Sequence, residues 1–503
     1  MLTSWFAVMA LQSTDEFKSR AADWRNGAIV YQVFVDRFAP SKSLDSKRRF
    51  YAAPRSLKNW DETPVPGHPI ESLGLWSHEL EFWGGDLESL SGKLDYVQSV
   101  GADVLYLTPI AQAFTNHKYD TQDYTKISPE LGTRSDVVAL AHDVHARKMK
   151  LMLDGVFNHM GRTSALFQEA LKNPKSLHRD WFSFGSKYPN GYLGWAGVSN
   201  MPRLRLETPT LREYLWGGSN SVVKQYLHDG IDGWRLDVAF EIGPTFLNEL
   251  TKSAHLSKPG SAVVGEISGY PSNWFPAVDG VFNFFLLDVI ERSLNGEISG
   301  GRVGRIFQHS VEDAGIEHLL KSWLLADNHD TARLASVVPD LAKRKMVLGL
   351  QFTLPGSPVI YYGTELGMQG AGDPQNRAPM RWDLVRSSNP VLSWTKKLIQ
   401  IRKKFPALKY GNFTALDTET LIAFARTTSR LQDSVIVVAN PTDGVVHEVL
   451  PTRIGRLLSW GELKDAITGM RVRSVTGNLS IELKPFQTVI LTPVIGPPYE
   501  RVP

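Results

Sequence analysis

Gly233-Trp-Arg-Leu-Asp237 is a short apolar stretch that closes on a carboxylate, and its repetition along the chain decides the fold. Lys150 to Val156 has the same build around Asp154, and Ser261-Ala-Val-Val-Gly265 runs into Glu266. Val30 to Phe34, Asp103 to Leu107, Gly280 to Phe284, Trp323 to Ala326 and Pro358 to Tyr361 complete a set of eight strand candidates. Amphipathic helical patterns separate most of them between about Ala28 and Asp383, as expected of βα units and a parallel sheet. Eight such strands predict an α/β chain built on a closed (β/α)8 TIM barrel. The motif carboxylates then fall at the C-terminal ends of the strands, where such barrels carry chemistry.

After Asn389-Pro390 the pattern changes. The helix Leu392 to Lys404 closes the barrel, and Leu421-Ile-Ala-Phe-Ala425, Ser434 to Ala439 and Thr488 to Thr492 follow as β-rich runs between Pro, Gly and Asp turns. We therefore expect a barrel over residues 27–405 and an all-β sandwich domain over 406–503. Residues 1–26 are expected to form a leader, because Met1 to Leu11 is apolar but lacks the basic start of a signal peptide. The reading without that signal places the protein in the cytoplasm.

Composition removes several function classes. With 55 basic against 52 acidic residues, the chain gives no electrostatic reason to bind nucleic acid or an anionic membrane. The absence of cysteine excludes a disulfide scaffold. No run approaches the ~20 apolar residues of a membrane helix. A neutral ligand is compatible with all of this.

The chemistry is legible at three places. Arg235 and Asp237 are two apart, so in a strand they share a face and the guanidinium can lie against the carboxylate, keeping it ionised as a nucleophile requires. Glu266, at the end of an apolar strand, is expected to be partly desolvated and to hold a proton near neutrality. Such a pair suits glycoside hydrolysis with retention. Asp330, in Asp327-Asn-His-Asp330, supplies a third carboxylate for the sugar ring, with an N-cap role as its structural alternative.

Taken together with Asp154-Gly-Val-Phe-Asn-His159, Val30 to Phe38, Trp83-Gly-Gly-Asp-Leu87, His117-Lys-Tyr-Asp-Thr-Gln-Asp-Tyr124 and Tyr361-Tyr-Gly-Thr-Glu-Leu-Gly367, these segments resemble glycoside hydrolase family 13, the α-amylase family. The resemblance implies that Asp237 is the nucleophile, Glu266 the acid/base and Asp330 the group that holds the distorted ring. It further implies that His117, Tyr119, His159, Arg235, His329 and Glu241 bind substrate. Asp154 and Asn158 support them, the latter matching a calcium ligand of many α-amylases. Residues 160–207 would form the small insertion domain after the third strand.

Several segments resemble the neopullulanase and cyclomaltodextrinase branch: His-Lys-Tyr-Asp-Thr at 117, Val238-Ala-Phe-Glu241 and Met201-Pro-Arg-Leu204. That resemblance implies cleavage of α-1,4 bonds in cyclodextrins, maltooligosaccharides or starch-type α-glucans. A glucanotransferase or an exo-acting α-glucosidase would use the same carboxylates, so both stay open as alternatives. Phe240 stands where the branch has Asn, and Arg205 departs from its motif as well. The branch's extra N-terminal domain has no counterpart here, so a monomer or weak homodimer is expected. Arg203 stands at the place of an Asp calcium ligand, and Asp86 could serve a second structural calcium. The reaction itself is expected to need no cofactor.

Overall fold

The computed structural model describes residues 15–454 and 461–494, so the apolar start of the expected leader, Met1 to Leu11, lies outside them. Eight parallel strands close into a barrel: β1 (Val30–Val33), β2 (Val104–Leu107), β3 (Lys150–Gly155), β4 (Gly233–Leu236), β5 (Ala262–Ile267), β6 (Gly280–Asn283), β7 (Trp323–Leu324) and β8 (Ser357–Tyr361). Each strand pairs with its neighbours in sequence, and β8 returns to β1 through Val30↔Val359.

Alternation along the strands divides side chains between two cores. Val30, Val104, Tyr106, Met152, Val264, Phe282, Trp323 and Val359 fill the barrel interior. Ile29, Tyr31, Val33, Leu105, Leu107, Leu151, Leu153 and Val263 face outward into the layer beneath the helices. The pleat has a direct consequence for the site. Gln32, Asp154 and Glu266 lie two residues beyond the inward-facing Val30, Met152 and Val264, so they point into the top of the barrel. The register then sets Arg235 of β4 opposite Asp154 and Val264, with Glu266 one pleat higher.

Helices flank most of these strands: α1 (Leu94–Val100), α2 (Arg134–Ala146), α3 (Val222–His228), α4 (Pro244–Ser257), α5 (Gly300–Ala314), α6 (Leu341–Gln351) and α7 (Pro390–Lys404). Local chemistry fixes their ends. The Thr133 side chain accepts from Asp136 N–H and the Asp136 carboxylate reaches back, a capping box that starts α2. Asn389 accepts from two N–H groups of α7, Pro390 sets its first turn, and Arg402, Lys403 and Lys404 end it. The alternation fails once: between β5 and β6 there is only the short 3-10 turn Ser272–Trp274, flanked by Pro271 and Pro276, which stop a helix.

The C-terminal strands β9 (Asn412–Ala415), β10 (Ile422–Thr427), β11 (Val435–Ala439), β12 (Val446–Pro451), β13 (Glu462–Asp465), β14 (Arg471–Val475), β15 (Asn478–Leu483) and β16 (Thr488–Pro493) form one antiparallel sheet in the order β9-β10-β11-β16-β13-β14-β15-β12. Ile436 and Val438 of β11 share a core with Leu450 of β12 and Leu479 and Leu483 of β15, so the sheet curls until its distant strands face each other. Close backbone approach joins this domain to the barrel, because a Cβ on Gly301 at the start of α5 would run into the Thr418 carbonyl. Residues 15–26 are packed as well: Arg20 donates to Glu317 and to Asn412.

Candidate active site

Arg235, wholly buried at the top of β4, organises the carboxylates. Its Nη1 donates to both oxygens of Asp154, at 2.8 and 2.9 Å, and to Asp237 Oδ1 at 3.1 Å. Its Nη2 lies 3.0 Å from Glu266 Oε1. One guanidinium therefore holds three acids, and it lies behind them rather than where a sugar could touch it. Asp154 is fixed further by the hydroxyls of Tyr106 at 2.6 Å and Tyr119 at 3.0 Å, which leaves it no free reactive oxygen.

The two remaining acids differ in what they lack. Glu266 Oε2 accepts from Val238 N–H at 2.8 Å. Asp237 Oδ2 is buried with no hydrogen-bond partner, and its nearest charged neighbour is His159 Nε2 at 4.0 Å. Val238, directly after Asp237, has φ 48 and ψ 38, a left-handed conformation that a β-branched residue rarely adopts. This costs ~1–3 kcal/mol, and it aims the Val238 N–H at Glu266 while turning the chain away from the cleft.

Burial pushes the Asp237 carboxyl well above its ordinary range, the charge of Glu266 adds to this, and Arg235 opposes it. The expectation that Arg235 keeps Asp237 ionised is thus overturned for the free site. The physical reason is that the guanidinium is shared with Asp154 and Glu266, so too little of its field remains for Asp237. The pair titrates as a unit, its proton free to shift when a ligand changes the surroundings.

The opposite wall holds Asp330. Its Oδ2 lies 3.1 Å from His329 Nε2 and its Oδ1 accepts from Arg377 at 3.2 Å. Asn328, not Asp330, caps this turn through the N–H groups of Asp330 and Thr331, so the N-cap alternative is not realised. Gln32 Nε2 lies 2.8 Å from His329 Nδ1. An amide N–H there makes Nδ1 an acceptor and places the ring proton on Nε2, facing Asp330 and the Tyr119 hydroxyl. Burial holds His329 well below its usual pKa and His159 down at about 3, so both rings are neutral. His159 has both ring nitrogens free and stacks on Trp195 at 5.3 Å.

Tyr119 and His329 stack at 5.5 Å, and His117 lies 5.8 Å beyond Tyr119, a continuous ring surface. His117 Nε2 approaches Glu79 at 3.5 Å. Burial pulls Glu79 upward, but its hydrogen bond to His117 outweighs this and leaves it below the ordinary value. His117, Tyr119, His159, Asp237, Glu266 and Asp330 all line one cleft of ≈ 340 Å³.

Glu241 does not line it. Asn158 Nδ2 donates to Glu241 Oε2 at 3.2 Å, and Arg203 Nε lies 3.6 Å from the same oxygen. Asp86 is equally occupied: Lys47 Nζ bonds its Oδ2 at 2.6 Å and Ser89 N–H takes its Oδ1. At both places expected to interest calcium, a side-chain cation already neutralises the acid, so these donor sets do not fit a metal ion. Among the described residues no group of three or more His, Asp or Glu side chains could hold one.

Several cleft residues escaped the sequence reading: Glu79, Trp195, Asp373 and Arg377. Arg377 donates to the His329 carbonyl and pairs with both Asp330 and Asp373. The signal available was the Asp373-Pro-Gln-Asn-Arg377 spacing in a Gly-rich loop just past β8.

A closed (β/α)8 barrel with paired acids on the ends of β4 and β5 and a third beyond β7 defines a barrel enzyme of the carboxylate-pair kind. The chain belongs to the α-amylase family: the alpha amylase catalytic domain matches residues 32–262 and 298–411. Neopullulanase 2 of Thermoactinomyces vulgaris is 33% identical over 487 residues, 93% of this chain and 78% of that protein. A cyclomaltodextrinase of Geobacillus thermopakistaniensis is 32% identical over 501 residues, 97% of this chain and 80% of its own. Among solved structures, the ligand-free cyclic α-maltosyl-(1→6)-maltose hydrolase of Arthrobacter globiformis superposes with a TM-score of 0.78 at 26% identity, covering 93% of this chain and all of that one.

Proposed function

We propose that the protein is a retaining α-glucan hydrolase that cleaves α-1,4-glucosidic bonds in cyclodextrins, maltooligosaccharides or starch-type chains. The observation that carries this reading is the unpartnered Asp237 Oδ2, open to the cleft beside a Glu266 held on the same guanidinium. Two acids on one guanidinium favour the short spacing of the double-displacement route over the wider one that admits a water. Asp237 attacks the anomeric carbon while Glu266 gives its proton to the leaving oxygen. Glu266, now a carboxylate, then takes a proton from water as that water breaks the glycosyl ester. Substrate supplies the missing step: a leaving oxygen at Glu266 gives the shared proton its destination and leaves Asp237 charged. Asp330, His329 and His159 hold the ring through its hydroxyls, and Tyr119 stacks beneath it.

The relatives named above as neopullulanase and cyclomaltodextrinase support the same substrate class. The test is kcat/KM on β-cyclodextrin and on soluble starch, with Asp237→Asn as blank. Turnover above the blank on either is expected, and none on both would sink the proposal.

We read the reaction as metal-independent, because Arg203 and Lys47 supply the positive charge at the two candidate cation places. Exhaustive chelation is expected to leave the rate unchanged. A loss reversed by calcium would refute this. Among the described residues no helix is long and apolar enough to cross a membrane. A cytoplasmic monomer or weak homodimer remains our reading, for which light scattering should report a 56.2 kDa species at low concentration.

A further inference from the structure

The two walls of the cleft differ in chemistry. On the side that holds the ring stand Glu79, His117, His329, Asp330, Asp373 and Arg377, all polar and interlinked. On the side of Glu266 stand Val238 and Phe240, and the acid/base itself is the polar group there. Phe240 lies in the short helix Ala239–Ile242, whose buried face is Ala239 and Ile242, so helical spacing turns the phenyl outward. It is 43% exposed in the cleft wall, and a core role therefore does not account for it. Its charged neighbours are spent on each other, Glu241 on Arg203 and Asn158.

Because Glu266 protonates the leaving group, the leaving group and any acceptor that replaces it must occupy this side. A sugar acceptor presents hydroxyls all round, and each one desolvated without a partner costs binding. A phenol presents one hydroxyl on an apolar ring, which matches one carboxylate beside an apolar wall. We propose that Phe240 is the stacking face of an acceptor site for aryl alcohols, and that the protein transfers glucosyl units to them. This rests on the hydrolase reading above. In the step, the phenolic oxygen forms a bond to the anomeric carbon and its proton passes to the Glu266 carboxylate. The ester bond to Asp237 breaks, and Asp237 leaves as carboxylate. Water competes for the same ester.

The experiment is maltotriose incubated with hydroquinone or, at equal concentration, glycerol, with glycosides and free sugar quantified by chromatography. The native protein is expected to give aryl glucoside in preference to glyceryl glucoside. Phe240→Asn should lower the aryl-transfer-to-hydrolysis ratio about three- to tenfold, the worth of one aromatic stack, whereas Phe240→Trp should retain it. Equal transfer to both acceptors, or a ratio indifferent to Phe240→Asn and Phe240→Leu alike, would overturn the inference. Maltotriose without acceptor separates the two levels. If it is not cleaved, the hydrolase reading fails; if it is cleaved but no aryl glucoside forms, only the acceptor site fails.

Discussion

At the scale of single residues, the site works through competition for one guanidinium. Arg235 is shared among Asp154, Asp237 and Glu266, and burial raises Asp237. A carboxyl whose folded pKa lies above its unfolded value of 3.8 costs stability once it is ionised, that is, as pH rises through the folded pKa. Asp237→Asn should therefore abolish turnover and yet unfold at a higher temperature at pH 7, by ~1.4 kcal/mol for each unit of upward shift. The gain should fade as pH drops towards 3.8, where Asp237 is protonated in both states; thermal melts across pH measure it. Arg377→Ala frees Asp330 and Asp373 from their shared cation. We expect kcat/KM to fall by ~10- to 100-fold, since a charge-assisted hydrogen bond that positions a ring-holding group is lost. Asp237, Glu266 and Asp330 were legible in the sequence because each follows a short apolar strand, and the pleat dictates where such residues point. Glu79, Asp373 and Arg377 come from loops, whose course is set by packing that no periodicity encodes.

At the scale of elements, strands were readable nearly to the residue, since a buried parallel strand is a continuous apolar run between turns. The β5–β6 link departs from the βα alternation because two prolines intervene, a signal present in the sequence and outweighed by the regularity around it. Glu241 shows the same limit: its sequence position suggested the acceptor side, but pairing with Asn158 and Arg203 of the inserted segment depends on a contact across more than thirty positions. Helix α5 carries a sharper test. Gly301→Ala puts a methyl group against the Thr418 carbonyl, backbone that cannot step aside. The cost should be about 1–3 kcal/mol by denaturant unfolding, and an unchanged midpoint would mean the domains are less tightly apposed than they look.

At the scale of the whole molecule, buried arginines tie barrel and sheet together. Arg402 donates to the carbonyls of Gly27, Phe352 and Gly356, and Arg426 of β10 donates to those of Thr353, Leu408 and Gly411. Cations surrounded by carbonyls alone fix geometry where neither element could do so by apolar packing, and nothing in the local sequence announces them. The curl of the C-terminal sheet was likewise hidden, as strand order in an antiparallel domain depends on long-range pairing. What the assembled barrel offers in return is a rigid rim on which two acids share one guanidinium. That arrangement makes a definite stereochemical claim. Proton NMR of the first reducing ends released from β-cyclodextrin or maltotriose, recorded before mutarotation, tests it most directly: the account predicts the α-anomer, and initial release of the β-anomer would contradict it.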